Sequence, residues 1–289
     1  VFTEQEDFRK EVQGLAARYS RYIRLKMEDD DAELAEELTG YPAEQDSIFA
    51  KSFVEQKKEW FQAVPEEKLR EVLATAPEFA LELDRPELYK RYLEQNLTEF
   101  MKNYWQVNGF SEAEREIVPG RLYIGNQFCH LLFPEKSCLF QLMEKAHREK
   151  CSITLVYTYI REDMLKTTEE LLKKVDNWSK EKQISVEIVV NDWALAEMLK
   201  KYPERLTPVL GTLLNKRKKD PRMIYKKGNK TLYEKNSLNA EFYREFLGEE
   251  YNIWRYEWES CGYAQNFPGT LNEKNSLHFP FYQTNTSQY

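Results

Sequence analysis

Cysteines and histidines are the residues of this 289-residue chain most suited to metal or covalent chemistry. There are four cysteines, at positions 129, 138, 151 and 261, and three histidines. Thiolates are the usual ligands of iron–sulfur clusters, so two cysteines brought together could share a metal or a cluster. No CxxC pair or other short zinc-type spacing occurs, and scattered cysteines are equally typical of plain buried or free thiols.

A cysteine nucleophile is a second way to use these residues. Cys129, His278 and Asp192 supply the nucleophile, the base and the orienting group that such catalysis needs. They are far apart in sequence, so only the fold could bring them together. Separate, unrelated roles remain the alternative.

Asn191 and Asp192 form a polar pair directly after an apolar segment, residues 184–190. In parallel β/α folds, polar groups that follow a buried strand are typical ligand-binding or catalytic residues. The alternative is structural, because an aspartate before Trp193 can accept backbone N–H bonds and cap a helix. Both interpretations stay open at this stage.

A basic stretch over residues 216–230 carries eight lysines and arginines, including Arg222. Such a cluster could bind phosphate or the RNA backbone, with an affinity that depends on salt but not on sequence. The alternative is a solvated loop between two elements. The stretch therefore predicts at most an anion-binding surface.

The second half of the chain alternates strand-like and helix-like segments, which is typical of parallel βαβ units. Short β-branched and aromatic runs predict strands, and longer amphipathic segments between them predict helices. The predicted strands are residues 121–128, 152–160, 184–190, 207–214, 252–258 and 277–283. The predicted helices are residues 134–150, 162–181, 193–201 and 238–247.

Six strands in this length favour an α/β fold of the incomplete or distorted TIM-like barrel type. An open doubly wound sheet is the alternative. No GxGxxG follows the first predicted strand, which argues against a dinucleotide-binding domain.

Ligands of parallel β/α folds bind at the carboxyl ends of the strands, so the candidate residues can be sorted by position. Cys151 precedes a strand and Cys138 lies within a helix, which leaves Cys129 and Cys261 as candidate metal or cofactor ligands. The catalytic candidates at this rim are Asp192, Asn191 and His278. The substrate-binding candidates are Arg161, Asn215, Arg222 and Tyr282.

The first 118 residues contain helical patterns, among them a predicted helix from Pro86 to about residue 105, and no segment with strand periodicity. We therefore predict two parts, a helical region over residues 1–118 and a β/α domain over residues 119–289. Residues 1–120 hold 16 basic and 27 acidic side chains, whereas residues 121–289 hold 26 basic and 22 acidic ones. The acidic helices could dock a protein partner, and only the second part has the charge to bind an anion.

No segment reaches the roughly 18 consecutive apolar residues of a membrane span. The early residues also lack the pattern of a signal peptide, because Lys10, Arg18 and Arg21 interrupt them. We therefore expect no membrane contact and a cytoplasmic location.

Several segments resemble the U32 peptidase-like family. Residues 122–129, LYIGNQFC, are similar to that family's strand that runs into a loop with a cysteine. Residues 189–193, VVNDW, resemble a later strand ending in Asn and an acid. Residues 210–217, continuing to Asp220-Pro221-Arg222, resemble the next strand and its basic loop, and residues 281–289 match more loosely.

The resemblance implies a TIM-barrel-like fold, often with an iron–sulfur cluster held by four cysteines. It implies Cys129 as one ligand and Cys261 as a second; His130 is adjacent to the first, and further cysteines could follow Tyr289. Known activities in the family include peptidases and proteins that assist hydroxylation of RNA or quinone precursors.

Three functions are therefore considered. The leading hypothesis is a U32-like barrel protein, with or without a cluster, that binds a substrate at the carboxyl rim of its strands. The second is a non-catalytic accessory protein that docks a partner through its acidic helices. The third is a metal-free enzyme acting on a phosphorylated or nucleic-acid substrate.

Overall fold

The computed structural model describes residues 7, 10, 12–14, 78–107, 118–216, 235–260, 265–269 and 272–278. The chain divides into two compact units, residues 1–63 with 220–228, and residues 64–219 with 229–289. The described positions of the first unit, residues 7, 10 and 12–14, have helical backbone. The β-sheet belongs to the second unit.

The described part of the second unit contains one sheet of seven strands. Neighbouring strands are all parallel and follow one another in chain order, from the first to the seventh. The strands are β1 (Ala80–Leu83), β2 (Arg121–Gly125), β3 (Ser152–Val156), β4 (Val186–Val190), β5 (Leu206–Leu210), β6 (Arg255–Glu259) and β7 (Lys274–His278).

Six α-helices of the described residues connect or flank these strands. They are α1 (Pro86–Glu94), α2 (Leu97–Val107), α3 (Lys136–Arg148), α4 (Leu165–Lys182), α5 (Trp193–Leu199) and α6 (Glu241–Tyr251). Short 3-10 turns lie at His130–Leu132, Glu162–Met164 and Ser237–Asn239. Because successive strand residues point to opposite faces, one face of the sheet can pack on the helices while the other remains free for different side chains.

Strand β2 shows this division. Leu122 and Ile124 belong to the large apolar core shared with the helices, whereas Tyr123 packs in a separate small cluster with Val156 and Val209. Burial of the large core supplies most of the favourable free energy of folding. The second face carries polar and charged side chains as well as these valines.

The sheet is curled into a half-barrel. The Tyr123 hydroxyl on β2 lies 2.8 Å from Oε1 of Glu257 on β6. Four strand spacings in a flat sheet would separate these strands by roughly 19 Å. The short contact therefore requires a strongly curved sheet, with Tyr123 and Glu257 on its concave face.

The prediction of parallel βαβ units is confirmed. The strand order shows no reversal, so the doubly wound alternative does not fit. The prediction that no strand precedes residue 120 is wrong, because β1 pairs with β2, and the count of six strands is too low. Segment 80–83, ALEL, consists of good helix formers, and its pairing in the sheet overrides that propensity.

Helices α1 and α2 also pack with this sheet. Tyr92 and Met101 lie in the same apolar core as Leu122. The last strand begins three residues earlier than predicted, at Lys274–His278. The helices predicted before residue 78 fall almost entirely outside the described residues.

Within the described ranges, no helix combines the length and apolar composition needed to cross a bilayer.

Candidate functional site

Buried polar side chains concentrate at the carboxyl ends of the strands. Twelve polar or charged residues are buried in the described part of the chain, and seven of them end or follow a strand. Buried polar groups are costly unless they are hydrogen-bonded, so such a concentration at one edge of the sheet needs an explanation. The seven residues are Asn126, Gln127, Thr158, Asn191, Thr212, Asn215 and Glu259.

A histidine held by two carboxylates lies on the concave face. His278, the last residue of β7, places Nε2 2.8 Å from Oε2 of Glu257 and Nδ1 3.6 Å from Oε2 of Glu82. Glu257 is fully buried, and its other oxygen accepts a hydrogen bond from the Tyr123 hydroxyl at 2.8 Å. Strands β1, β2, β6 and β7 thus meet at one polar cluster.

The two carboxylates set the charge of this histidine. Burial alone would lower the pKa of His278, but its hydrogen bonds and charge interactions with Glu257 and Glu82 outweigh burial and raise the pKa to about 10. The ring is therefore an imidazolium at neutral pH. It can donate a hydrogen bond or a proton, but it is not a base at that pH.

Tyr123 stays protonated in the same cluster. Burial raises the pKa of its hydroxyl well above the ordinary value, and the charge of Glu257 raises it further. The hydroxyl also accepts a hydrogen bond from Nη2 of Arg255 at 2.9 Å. Tyr123 therefore connects the histidine cluster to the arginines near the amino ends of the strands.

Those arginines form a second layer around Glu187 of β4. Arg121 Nη1 lies 2.7 Å from Glu187 Oε2, and Arg255 Nη1 lies 2.9 Å from both carboxylate oxygens. Thr154 also donates a hydrogen bond to Oε2 at 3.0 Å. Each charge in this layer has an opposite partner, which is what burial of charge requires.

The region between β5 and β6 is the most open part of the sheet. These strands share a single register pair, Leu210 with Tyr256, whereas the other neighbours share three to five. Asn215 bridges them, because its Nδ2 donates to the Glu257 carbonyl at 3.1 Å. Nearby, the Thr212 hydroxyl donates to Gln127 Oε1 at 2.7 Å, and Gln127 Nε2 lies 3.3 Å from His278 Nε2.

We use the term carboxyl mouth for this edge of the concave face, defined by Gln127, Thr158, Thr212, Asn215 and His278. Two of its buried polar atoms, Thr158 Oγ1 and Asn215 Oδ1, make no hydrogen bond with any described residue. The buried Tyr157 hydroxyl, next to Thr158, is in the same situation. A native protein leaves few such groups unpaired, so each of them points to a further polar partner.

Asn191 organises the loops of the carboxyl mouth. Its Nδ2 donates to the Tyr157 carbonyl at 2.8 Å, and its Oδ1 accepts from the Leu213 backbone N–H at 3.1 Å. It therefore joins the loops that carry Thr158 and Asn215. A Cβ atom on Gly211 would lie 2.0 Å from Asn191 Oδ1, so only glycine fits there.

Asp192 caps helix α5, as the structural interpretation of the sequence predicted. Its Oδ1 accepts from the Ala194 N–H at 2.5 Å, and its Oδ2 accepts from the Ile160 N–H at 2.9 Å. Both carboxylate oxygens are thus occupied by backbone. The carboxylates beside His278 are Glu257 and Glu82, so Asp192 does not orient this histidine as the triad hypothesis required.

The cysteines described by the structure do not fit the donor set of a four-cysteine cluster. Cys129 lies in the loop after β2, Cys138 lies in α3, and Cys151 precedes β3, where its thiol contacts the Pro119 carbonyl at 3.6 Å. Burial raises the pKa of both the Cys138 and Cys151 thiols. No group of three or more metal-ligating side chains occurs among the described residues, and Cys261 lies outside them.

The remaining predicted residues have different positions. Arg161 lies on the exposed rim, where it pairs with Asp163 at 2.7 Å and approaches His130 Nε2 at 3.4 Å. Arg222 and Tyr282 lie outside the described residues, as do residues 217–230 of the basic stretch. The predicted substrate-binding and anion-binding roles of these residues stay predictions.

The sequence patterns did not indicate the carboxylates that surround His278. Glu82 was missed together with β1, and Glu257 was read only as part of a strand. Asp84, at the carboxyl end of β1, was missed for the same reason, and burial raises the pKa of its carboxyl. The signal in β6 was the alternation of charged residues at positions 255, 257 and 259, which places all three on one face.

The chain matches no protein-family model, and no curated protein or solved structure shows significant similarity to it.

Proposed function

We propose that this chain is a U32-like, TIM-barrel-like protein that binds a small polar organic substrate in the carboxyl mouth. The observation that carries the proposal is the pair of buried polar atoms, Thr158 Oγ1 and Asn215 Oδ1, that lack a hydrogen bond with any described residue. Their position agrees with the general location of ligand sites in parallel β/α folds. A substrate with hydroxyl, amide or amino groups would satisfy both atoms.

His278 is the residue of the carboxyl mouth best suited to act on such a substrate. As an imidazolium it places a positive charge in the site, and it would donate a hydrogen bond to a substrate oxygen or nitrogen from Nδ1, in exchange for the longer contact with Glu82 at 3.6 Å. Asn191 and Asp192 serve as positioning residues, because their hydrogen bonds fix the loops around the site. An iron–sulfur cluster has no part in this proposal, and the expectation of one rests on the family resemblance and on the predicted rim positions of Cys129 and Cys261.

The proposal can be tested without knowing the substrate, by comparing two buried threonines. Thr158→Val removes a hydroxyl that has no described partner, whereas Thr212→Val removes the donor to Gln127. We expect Thr158→Val to leave the free energy of unfolding unchanged or to raise it by up to about 1 kcal/mol, and Thr212→Val to lower it by about 1–2 kcal/mol. Urea denaturation of both variants gives these values.

A ligand screen completes the test. Hydroxy acids, amino acids and simple sugars would be screened by thermal shift against the unmodified chain, Thr158→Val, and Thr207→Val, an exposed threonine at the second position of β5. A compound that stabilises the unmodified chain and Thr207→Val, but not Thr158→Val, supports the proposed site. Destabilisation by Thr158→Val equal to that by Thr212→Val would argue against it, because the hydroxyl would then be engaged within the protein itself.

A further inference from the structure

Helix α6 and its neighbour α5 present an aromatic surface to solvent. Phe242 is 74% exposed, Phe246 is 45% exposed and Trp193 of α5 is 38% exposed. The Trp193 ring lies 6.2 Å from that of Phe246 and 5.3 Å from that of Tyr251, measured between centroids. We call these four residues the aromatic patch.

Acidic residues share the exposed face of α6 with the aromatic rings. Phe242, Glu245, Phe246 and Glu249 have the spacing i, i+3, i+4 and i+7, which places them on one face of a helix. All four are exposed. Among the described residues, neither Glu245 nor Glu249 has an ion-pair partner, whereas the neighbouring Glu250 contacts Lys200. Within the described part of the chain, the face is therefore apolar with an acidic border that no basic side chain neutralises.

The buried anchor of helix α6 lies on a different face from Phe242 and Phe246. Helix α6 is anchored through its other side, where Leu247 is buried with Leu210 and Tyr256. Gly248 also packs so closely on Trp254 that a Cβ atom would lie 2.4 Å from the indole ring. Clustered exposed aromatic residues on a protein surface usually mark an interaction site.

We propose that the aromatic patch docks an amphipathic protein segment that carries large apolar side chains bordered by lysine or arginine. The apolar side chains of this partner would cover Phe242 and Phe246, and its basic residues would pair with Glu245 and Glu249. An anionic membrane surface is the less suitable partner, because the acidic border would be repelled by it. The binding mode would be that of a helix placed on an apolar surface.

The test uses two synthetic helical peptides of about 18 residues, one of leucine and lysine and one of leucine and glutamate in the same pattern. Binding to the full chain at about 0.15 M salt would be followed by fluorescence anisotropy of labelled peptide. We expect the leucine–lysine peptide to bind and the leucine–glutamate peptide not to bind. The double variant Phe242→Ser/Phe246→Ser should weaken binding at least about tenfold.

Matched variants separate docking from nonspecific attraction to an acidic protein. Leu131→Ser changes another exposed apolar residue and should leave the affinity unchanged. Glu245→Lys/Glu249→Lys should weaken binding, whereas Glu181→Lys on α4 should not. Circular dichroism of each variant would confirm that the fold is retained. Equal binding of both peptides, insensitivity to either double change, or preferential binding to phosphatidylserine vesicles would overturn the proposal.

Discussion

His278 illustrates how much the chemistry of one residue depends on its neighbours. A histidine at the end of a strand could be a base, a metal ligand or a buried cation. The contacts with Glu257 and Glu82 make His278 a buried cation, because the two carboxylates favour the protonated ring more strongly than burial disfavours it. The catalytic role that the sequence predicted for His278 is therefore restricted to that of an acid or hydrogen-bond donor.

We predict that His278 keeps its proton well above neutral pH. With a pKa raised to about 10, its ring should give the imidazolium pattern in long-range ¹H–¹⁵N spectra at pH 8. The chain has only three histidines, so His278→Gln identifies the signal by its disappearance. A neutral ring at pH 8 would contradict the prediction.

The same shift predicts how stability changes with pH. Because the folded pKa lies above the unfolded value of 6.5, the contribution of His278 is fully present below pH 6.5 and is lost as pH rises towards 10. Over this range the free energy of unfolding should fall more steeply in the unmodified chain than in His278→Gln. The excess slope should approach that of one proton, about 1.4 kcal/mol per pH unit. Equal slopes in urea titrations at several pH values would refute the assignment.

The sequence could indicate His278 and the Asn191-Asp192 pair but not the contacts that each of them makes. Asp192 was correctly recognised as a candidate helix cap because that depends on adjacent residues. Glu257 could not be connected to His278 without knowing that β6 pairs with β7, and Glu82 on β1 reaches His278 on β7 only through the curl of the sheet. Long-range contacts of this kind leave no local pattern in one sequence.

At the scale of secondary-structure elements, the ends of β3, β4 and β5 are held together by one side chain. Asn191 follows β4 and bonds backbone groups that follow β3 and β5. The Asn191 side chain fills the space next to Gly211, so position 211 has no room for a side chain. The loops of the carboxyl mouth thus depend on a close packing of Asn191 against backbone.

We predict that Gly211→Ala lowers the free energy of unfolding by about 2–3 kcal/mol, because the added methyl group must displace Asn191 from its two hydrogen bonds. Gly120→Ala is the matched control, since a Cβ atom there meets nothing within 4 Å, and its effect should stay within about 1 kcal/mol. Urea denaturation measures both. The cost in the double variant Asn191→Ala/Gly211→Ala should be less than the sum of the single costs, because the clash is then absent. Additive effects would contradict this explanation.

Helices and strands with a regular spacing of apolar residues were predictable, and short or interrupted elements were not. Strand β4 and helix α5 occur nearly where the pattern placed them. The helix predicted from Pro86 to about residue 105 is divided into α1 and α2 at Gln95-Asn96, where Asn96 Oδ1 accepts from the Glu99 N–H at 2.9 Å. The Asn-x-x-Glu spacing is a helix-start signal that could have located this break.

At the scale of the whole molecule, side-chain contacts across the concave face accompany the curl of the sheet. Glu187 on β4 contacts Arg121 on β2 and Arg255 on β6, so one carboxylate connects strands on both sides of it. Arg255 also donates to Tyr123 on β2 and to Ser276 on β7. The parallel α/β class could be predicted from alternating elements, but the contact of Arg255 on β6 with Tyr123 on β2 required the curvature itself.

Arg255 should therefore be far more important for stability than an arginine on the rim. We predict that Arg255→Met lowers the free energy of unfolding by about 3–5 kcal/mol, since it leaves Glu187 with fewer partners and removes donors from Tyr123 and Ser276. Arg161→Met, which loses one exposed ion pair, should cost less than about 1 kcal/mol. Both values come from urea denaturation monitored by circular dichroism.

A combined variant shows whether Arg255→Met is destabilised by the unpaired charge of Glu187 or by the loss of side-chain packing. The triple variant Arg121→Met/Glu187→Met/Arg255→Met removes all three charges of the layer around Glu187 and keeps most of the side-chain volume. Replacing a whole buried charge group in this way often costs little, whereas removing one partner is expensive because the others stay buried without compensation. We therefore expect the triple variant to be more stable than Arg255→Met alone. If the triple variant instead loses as much free energy of unfolding as the three single variants together, the ion pairs contribute net attraction. The curl of the sheet would then depend on them.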